Sequence, residues 1–363
     1  MSSMTLDKIL QTVTAYKASD LHLIAGTEPQ IRISGKLAPL DLDVLDSATL
    51  QSLCYSVIND NQKKYFEENK ELDFTFALKG VGRFRANYYF QQGSVAAAFR
   101  IIPEKIPTLE DLNGPSIFGE LVKREKGLIL VTGPTGSGKS TTMAAMINEI
   151  NINERKHIIT IEDPVEFHHE HKSSVISQRN VGEDTKSFSN ALKYAMREDP
   201  DVILVGEMRD VETIRAAVTA AETGHLVFAT VHTNSATQTI NRIINVFPSE
   251  EQAIIRTQLS MSLSAIISQT LVPKIEGGRV AAHEILINNP AIANLIREDK
   301  VHQIYSQLQL GQSKTGMQTL SQVLIDLVRA RIVAKEDALR FATNKEEVER
   351  ALGTGGGGTL GGL

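Results

Sequence analysis

One segment constrains the fold of this chain more than any other. Residues 133–140 read Gly-Pro-Thr-Gly-Ser-Gly-Lys-Ser, which matches the pattern G-x-x-x-x-G-K-[ST] at every fixed position. A short apolar run at 127–132 precedes it, and a segment with helical character begins at Ser140. Glycines in such a loop let backbone N–H groups surround phosphate oxygens, and the N-terminus of the following helix adds partial positive charge. The segment therefore predicts a nucleotide site on a strand–loop–helix unit.

The predicted phosphate-binding residues are the loop and the first helical turn. Lys139 is expected to reach the β- and γ-phosphates, and the hydroxyl of Ser140 is expected to ligate Mg²⁺. The complete predicted set is Gly133, Pro134, Thr135, Gly136, Ser137, Gly138, Lys139, Ser140 and Thr141.

The region around this loop alternates between strand-like and helical patterns. Short, almost continuously apolar runs occur at 127–132, 157–161, 202–205 and 226–231, as expected of strands that are buried on both faces of a parallel sheet. Helical segments are predicted between them at 140–149, 187–197 and 211–222. From residue 250 the pattern is mainly helical, with one strand predicted at 280–287. These patterns predict an α/β fold.

Two acidic segments follow buried strands. Glu207 comes just after the run at 202–205, at the sheet edge where parallel sheets place their ligands. It is predicted to position the attacking water or to hold the Mg²⁺ shell, and a helix-entry acid is the alternative. Glu162 follows the run at 157–161. Because several carboxylates would crowd a triphosphate, Glu162 is predicted to be a general base or water-orienting group, with a structural turn at Pro164 as the alternative.

Histidine and arginine residues complete the candidate set. His232 follows the strand at 226–231 and is a candidate contact of a γ-phosphate, with a structural strand-end histidine as the alternative, whereas His225 at the opposite end is expected to be structural. Arg83 and Arg85 share one face of a strand because the side-chain period is two. For these residues and for Arg100, spacing alone favours a solvated face over a phosphate contact.

A histidine-rich stretch, Phe-His-His-Glu-His at 167–171, invites a metal interpretation. Its histidines are adjacent in a polar segment and have no partner pair at zinc spacing elsewhere in the sequence. We expect these residues to lie on the surface.

The first hundred residues predict a separate α+β domain. A helix is predicted at 6–16 and a helical stretch at 50–67, around an antiparallel sheet with one or two covering helices. The predicted strands are 20–24, 30–33, 72–78, 82–90 and 94–101. The predicted domains are 1–102, a proline-containing linker at 103–115, a domain with the nucleotide site at 116–352 and a flexible glycine-rich tail at 353–363.

Composition excludes several classes of protein. The single cysteine, Cys54, excludes a disulfide framework and any all-cysteine metal site. A net charge of −5 argues against broad binding to nucleic acid or to a membrane surface. Because the chain has no signal-peptide core and no run of eighteen apolar residues, we expect a cytoplasmic protein.

Taken in order, four segments resemble the signature motifs of the secretion-type ATPases. They are the Walker A loop, an acidic box (IEDPVE, 161–166), an atypical Walker B segment (PDVILVGEMRD, 200–210) and a histidine box (TGHLVFATVHT, 223–233). Within that family the chain resembles the retraction ATPases of bacterial type IV pili over almost its whole length. Further matching segments are ASDLHL (18–23), GRFRAN (82–87), SQTLVPK (268–274), AAHEILI (281–287), PAIANLIRE (290–298) and GMQTL (316–320).

The resemblance implies a PAS-like α+β first domain and a RecA-like P-loop ATPase domain with a mainly helical C-terminal part. It also implies a homohexamer that hydrolyses Mg-ATP at the inner-membrane base of the pilus, where the ring acts on a platform protein, with an accessory retraction ATPase as a further partner. Arg85 and Arg100 become candidate γ-phosphate contacts, with Arg197 a weaker one. The chain departs from the family at Ala293, where the motif AIRNLIRE usually carries arginine.

Four alternatives remain at this point. The first is an accessory retraction ATPase of the same branch, whose motifs are nearly shared. The second is a pilus-assembly or type II secretion ATPase, which is typically longer and often carries a four-cysteine zinc insertion. The third is a RecA-like nucleic-acid motor, which the net charge and the absence of Lys/Arg runs disfavour. The last is a non-catalytic nucleotide switch.

Overall fold

Two sheets with different strand patterns occupy successive parts of the sequence. The computed structural model describes residues 5–33, 35–102 and 105–353. Contacts between residues divide them into two units, with the division after Lys105, inside the predicted linker. The predicted domain boundaries stay a prediction, and residues 354–363 of the predicted tail lie outside the described residues.

The described part of the first unit folds into a six-stranded antiparallel sheet with the order β3-β2-β1-β6-β5-β4. The strands are β1 (Asp20–Leu23), β2 (Gln30–Ile33), β3 (Lys36–Pro39), β4 (Glu71–Leu78), β5 (Gly82–Gln91) and β6 (Ser94–Ile102). The helices are α1 (Leu6–Ala15), α2 (Ser47–Tyr55) and α3 (Asp60–Asn69). Aromatic side chains from both kinds of element, including Phe66, Phe84 and Tyr88, fill its core.

The helical stretch predicted at 50–67 is two helices, and the reason is local. Asn59 accepts a hydrogen bond from the backbone N–H of Gln62, and the Gln62 side chain accepts one from the backbone N–H of Asn59. This capping box starts a new helix, so the chain turns between α2 and α3.

The second unit contains a seven-stranded sheet in its described residues, with the order β13-β12-β7-β11-β10-β8-β9. Neighbouring strands are parallel, except that β13 runs antiparallel to β12. The strands are β7 (Gly127–Thr132), β8 (His157–Glu162), β9 (Val175–Asn180), β10 (Val202–Val205), β11 (Leu226–Val231), β12 (Leu263–Pro273) and β13 (Arg279–Ile287). Every residue of β7, β10 and β11 is buried, as the apolar runs predicted.

Helices cover this sheet and continue beyond it. They are α4 (Ile117–Leu121), α5 (Lys139–Asn153), α6 (Phe188–Ala195), α7 (Val211–Glu222), α8 (Ala236–Asn245), α9 (Gln252–Ser262), α10 (Pro290–Arg297), α11 (Ile304–Thr315), α12 (Leu320–Arg329), α13 (Lys335–Phe341) and α14 (Lys345–Gly353), with a short 3₁₀ turn η1 (Val301–Gln303). In the described part of the chain, no helix is long and apolar enough to cross a membrane.

The fold confirms an α/β chain with a sheet-rich first unit and a P-loop unit, while the PAS-like character of the first unit stays a prediction. One expectation is wrong: the chain after residue 250 is not helical up to 280. The backbone turns extended at Leu263, and β12 then pairs with β7 directly beside the phosphate-binding loop.

Candidate functional site

The phosphate-binding loop joins β7 to α5 as predicted, although α5 begins at Lys139, one residue earlier than expected. Its N-cap residue is Gly138, with φ of 87°, which offers no side-chain acceptor to the first N–H groups of the helix. Such a terminus is suited to binding an anion. The loop tip at 134–136 is exposed, while Ser140 and Thr141 are half-buried.

The Lys139 side chain is buried against the loop itself. Its Nζ donates hydrogen bonds to the carbonyl oxygens of Gly133 (2.9 Å) and Pro134 (3.0 Å). Burial lowers the pKa of Lys139, and the negative charges of Glu207 and Glu166 oppose that effect. The charges of the Glu207 and Glu166 carboxylates thus act on the ammonium of Lys139.

Glu207 follows β10 and lies between the side chains of Arg209 and His232. Its Oε2 is 2.6 Å from Nη2 of Arg209, and its Oε1 is 3.3 Å from Nε2 of His232. Burial opposes ionisation of this carboxyl, but the hydrogen bond and charge of Arg209, together with His232 and Lys139, hold its pKa below the usual range. Glu207 is therefore a carboxylate at neutral pH. The contact with His232 joins the Walker B segment to the histidine box.

Glu162 ends β8 and is half-buried. Its Oε1 accepts a hydrogen bond from the Thr160 hydroxyl at 2.7 Å and a longer one from Nε2 of Gln178 at 3.4 Å. Burial raises the pKa of the Glu162 carboxyl to about 7, although these hydrogen bonds act in the opposite direction. A carboxyl that titrates near neutral pH suits proton transfer.

The structure therefore brings the Walker A lysine, the Walker B glutamate and the strand-end histidine together electrostatically. It does not add Arg197 to this group. Arg197 is exposed in the turn after α6, and it takes part neither in the ion pairs of Glu207 nor in the hydrogen bonds of Lys139. His225 makes a local contact from its Nδ1 to the carbonyl of Ala220 (2.9 Å).

Arg85 and Arg100 face each other across β5 and β6 of the first unit. Each has an acidic neighbour on the same sheet: Arg85 lies 3.8 Å from Asp73, and Nε of Arg100 lies 3.0 Å from Asp20. The side chain of Arg100 is 68% exposed and that of Arg85 is 35% exposed. Because the two arginines are opposite each other in the strand register, their side chains lie on the same face of the sheet.

The histidine-rich stretch is not wholly on the surface. Phe167 is buried in the second unit and His169 is half-buried, because the segment folds back towards β9, where Gln178 accepts a hydrogen bond from the His169 N–H. Burial, and secondly the charge of Lys172, lower the pKa of His169 to about 4. Among the described residues, no group of three or more His, Cys, Asp or Glu side chains is arranged to hold a metal ion.

Sequence reasoning missed two residues of the site. Arg209 pairs with Glu207, and its position two residues further along the Walker B segment is a signal that could have been used. Gln269 on β12 contacts the phosphate-binding loop from more than 130 residues away in the sequence, and no motif spacing points to it.

Comparison with known proteins agrees with this arrangement. Residues 108–277 match the family described as type II/IV secretion system protein. The chain is 53% identical over 335 residues to the type IV pilus retraction ATPase PilT of Pseudomonas aeruginosa, covering 92% of this chain and 97% of that protein. It is 40% identical over 353 residues to the type IV pilus ATPase PilU of the same organism, covering 97% and 92%.

The fold also matches a solved structure. It superposes on the crystal structure of the pilus retraction motor PilT with bound ADP with a TM-score of 0.90 and 51% identity, covering 96% of this chain and 100% of that one. The chain therefore belongs to the type II/IV secretion ATPase family and, within it, to the PilT group.

Proposed function

We propose that this protein is a motor ATPase that hydrolyses ATP to retract type IV pili and so supports twitching motility. The observation that carries this proposal is the convergence of Lys139, Glu207 and His232 at one sheet edge, in a chain 53% identical to a pilus retraction ATPase. The chain covers both relatives almost fully, and its identity of 53% to PilT, against 40% to PilU, favours the retraction motor over another ATPase of the same branch.

In the proposed mechanism, Lys139 exchanges its two loop carbonyls for the β- and γ-phosphates of ATP. Glu207, an ionised carboxylate, orients the attacking water, while His232 contacts the γ-phosphate. Glu162 accepts the proton of the water, a role that its pKa of about 7 allows. The remaining proposed nucleotide contacts are backbone and side-chain groups of residues 133–141.

Mg²⁺ is the proposed cofactor, and the donor set fits it. The Ser140 hydroxyl and the Glu207 carboxylate supply oxygen ligands, which Mg²⁺ prefers. When bound, the ion would neutralise charge on the phosphate oxygens.

The first unit supplies the proposed additional cations. Arg85 and Arg100 are proposed to contact the γ-phosphate, and Arg197 stays a weaker candidate. Both first-unit arginines have acidic neighbours, Asp73 and Asp20. Contact with phosphate therefore requires that these ion pairs break and that the guanidinium groups bind the phosphate instead. Loss of the γ-phosphate would then restore the original pairs.

The working assembly is proposed to be a homohexamer on the cytoplasmic side of the inner membrane, acting on the platform protein of the pilus base, with an accessory retraction ATPase as a further partner. Nucleic acid is not a proposed partner, since the net charge is −5. Ala293, half-buried in α10, lies outside the ATP motifs. Hydrolysis is therefore proposed to be retained, with an altered coupling of hydrolysis to movement.

The test is steady-state ATP hydrolysis by the purified chain, with and without Mg²⁺, and with particle size measured in the same preparation. Mg²⁺-dependent turnover by a six-subunit particle, lost in Lys139→Ala, is expected. Restoration of twitching in a retraction-deficient strain by the wild-type chain, and not by Lys139→Ala, would extend the result to pili. Nucleotide binding without turnover, even with the platform protein added, would instead indicate a switch.

A further inference from the structure

Gln269 lies on β12, the strand that neighbours the P-loop strand β7, and only 4% of it is exposed. The last paired residues of the two strands are Ser268 and Thr132, whose hydroxyl groups are 2.8 Å apart. Gln269 is therefore level with Gly133, the first residue of the phosphate-binding loop.

The amide of Gln269 bonds to both the loop and the helix that follows it. Its Nε2 donates to the carbonyl oxygen of Ser137 at 2.6 Å. Its Oε1 accepts from the hydroxyl of Thr142 at 2.7 Å and from Nε2 of His283 at 3.1 Å. Because the Ser137 carbonyl can only accept, these partners fix the amide in one orientation.

His283 supports this orientation from β13. It is buried, its ring packs edge-on against Phe118 at 5.3 Å, and burial lowers its pKa to about 4. The imidazole is thus neutral at physiological pH. Its Nε2 carries the proton, since Oε1 of Gln269 can only accept.

Two glycines of the loop pack directly on Gln269. A Cβ atom at Gly133 would lie 2.2 Å from the backbone oxygen of Gln269, and one at Gly138 would lie 2.8 Å from its Nε2. Contacts this short leave no room for a side chain at either position. The absence of side chains at these two glycines therefore allows β12, as well as a phosphate, to lie close to the loop.

We propose that Gln269 is a positioning residue that shapes the phosphate-binding loop from the neighbouring strand. In a planar trans peptide, the carbonyl of one residue and the N–H of the next point in opposite directions. By holding the Ser137 carbonyl towards β12, Gln269 turns the Gly138 N–H to the other side of the loop, where phosphate is bound. The inference rests on the proposed function, because it assigns this loop to nucleotide.

The expected signature is a change in affinity and not in the chemical step. Without the Gln269 amide, the loop must be ordered when the phosphates bind, and the entropy cost appears in nucleotide affinity. Once the phosphates are bound, their own contacts hold the same N–H groups. KM for ATP is therefore expected to rise, while kcat at saturating ATP changes little.

The experiment compares Gln269→Met, which keeps the side-chain volume but removes the amide, with Gln318→Met as the matched control. The side-chain amide of Gln318 donates to the carbonyl of His283 at 2.9 Å and does not bond to the loop. Binding of methylanthraniloyl-ADP and ATP hydrolysis are measured for both. For Gln269→Met we expect the dissociation constant and KM to rise about tenfold, with kcat within about threefold of wild type. For Gln318→Met we expect wild-type values.

Two results would overturn the inference: unchanged nucleotide affinity in Gln269→Met, or an equal loss of affinity in Gln318→Met. If Gln269→Met does not fold, Thr142→Val removes one donor to the same amide. A rise in KM of about threefold then supports the inference, and an unchanged KM contradicts it. Failure of the wild-type chain itself to bind the ADP analogue would overturn the proposed function, and this inference with it.

Discussion

The two units place polar chemistry differently because their strands are buried differently. In β5 of the first unit, buried and half-buried residues alternate, so Phe84 and Tyr88 enter the core while Arg83 and Arg85 occupy the other face. In β7 of the second unit all six residues are buried. Polar groups are therefore confined to the ends of such strands, where the loop, Glu162, Glu207 and His232 occur.

The two units therefore offer different kinds of polar group. The strand ends of the parallel sheet offer fixed backbone N–H groups and carboxylates within a buried frame. The open face of the antiparallel sheet carries the long cationic side chains of Arg85 and Arg100, each beside an acidic residue. In the proposed mechanism the second unit supplies binding and water activation, and the first unit supplies additional positive charge.

The largest expected effects test the difference in burial. Ile129→Ala and Leu130→Ala alter opposite faces of β7, and each is expected to lower the free energy of unfolding by about 2–5 kcal/mol. In β5, Phe84→Ala should cost about 3–5 kcal/mol, whereas Asn87→Ala should cost less than about 1 kcal/mol. Denaturant unfolding followed by circular dichroism measures all four. An unchanged free energy of unfolding for Ile129→Ala or for Leu130→Ala would contradict burial of both faces of β7.

The next effect tests the strand-end carboxylate. Glu207→Gln should lower kcat about 100-fold, or about 2.7 kcal/mol, because the amide is neutral and is a poor partner for a reacting water. ATP binding should be retained, since Lys139 and the loop are unchanged. Glu212→Gln, exposed in the first turn of α7, is the matched control and should hydrolyse ATP normally. Near-normal turnover in Glu207→Gln would remove Glu207 from the mechanism.

A smaller effect is expected on the open face of the first unit. Arg85→Ala should lower kcat about tenfold, with KM changed less than about threefold, since the side chain is proposed to contact charge that develops at the γ-phosphate. Arg32→Ala is the control, because Arg32 lies on β2 of the same sheet and is likewise near an acidic residue, with its Nε 3.9 Å from Asp20. Equal rates for wild type and Arg85→Ala would make Arg85 a solvated surface residue.

The smallest expected effect concerns Glu162. The pH dependence of its contribution to stability tests the raised pKa, and the rate of hydrolysis tests its role in the reaction. Below the ordinary carboxyl pKa of 4.5, Glu162 is protonated in both folded and unfolded chains, so wild type and Glu162→Gln should be equally stable. As pH rises through the folded-state pKa of about 7, the wild type must ionise a buried carboxyl and loses stability that the amide retains. At pH 8 we expect Glu162→Gln to melt about 2–4 °C higher, yet to hydrolyse ATP more slowly. Identical melting curves at pH 8 would contradict the raised pKa.

Much of the fold was predictable because burial leaves a simple pattern. The runs at β7, β10 and β11 were predicted with their observed bounds, since few structures other than a doubly covered sheet need so many successive apolar residues. β12 was missed because its apolar run follows α9 without an intervening glycine or proline. Such a run is compatible with either a helix or a strand. β9 was missed because Val175–Asn180 is a polar edge strand.

The candidate site was predictable where function depends on neighbours in sequence. A phosphate-binding loop is contiguous, and a strand-end acid follows its own strand, so Lys139 and Glu207 could be chosen from spacing, while His232 also needed the histidine-box motif. The Gln269 contact joins Ser137 and Thr142 to a strand more than 120 residues later. Only the order of strands in the sheet brings those residues together, and local sequence does not encode that order.

The two hydrogen bonds from Lys139 to its own loop have a consequence for nucleotide selectivity. The ammonium has three N–H donors, so one remains for a phosphate oxygen while the other two bind the carbonyls of Gly133 and Pro134. In the proposed mechanism a lone phosphate can use that third donor, whereas a separate N–H for each of the β- and γ-phosphates requires that one of the two carbonyl bonds be given up. The backbone of the loop is thus proposed to influence how tightly Lys139 holds a polyphosphate.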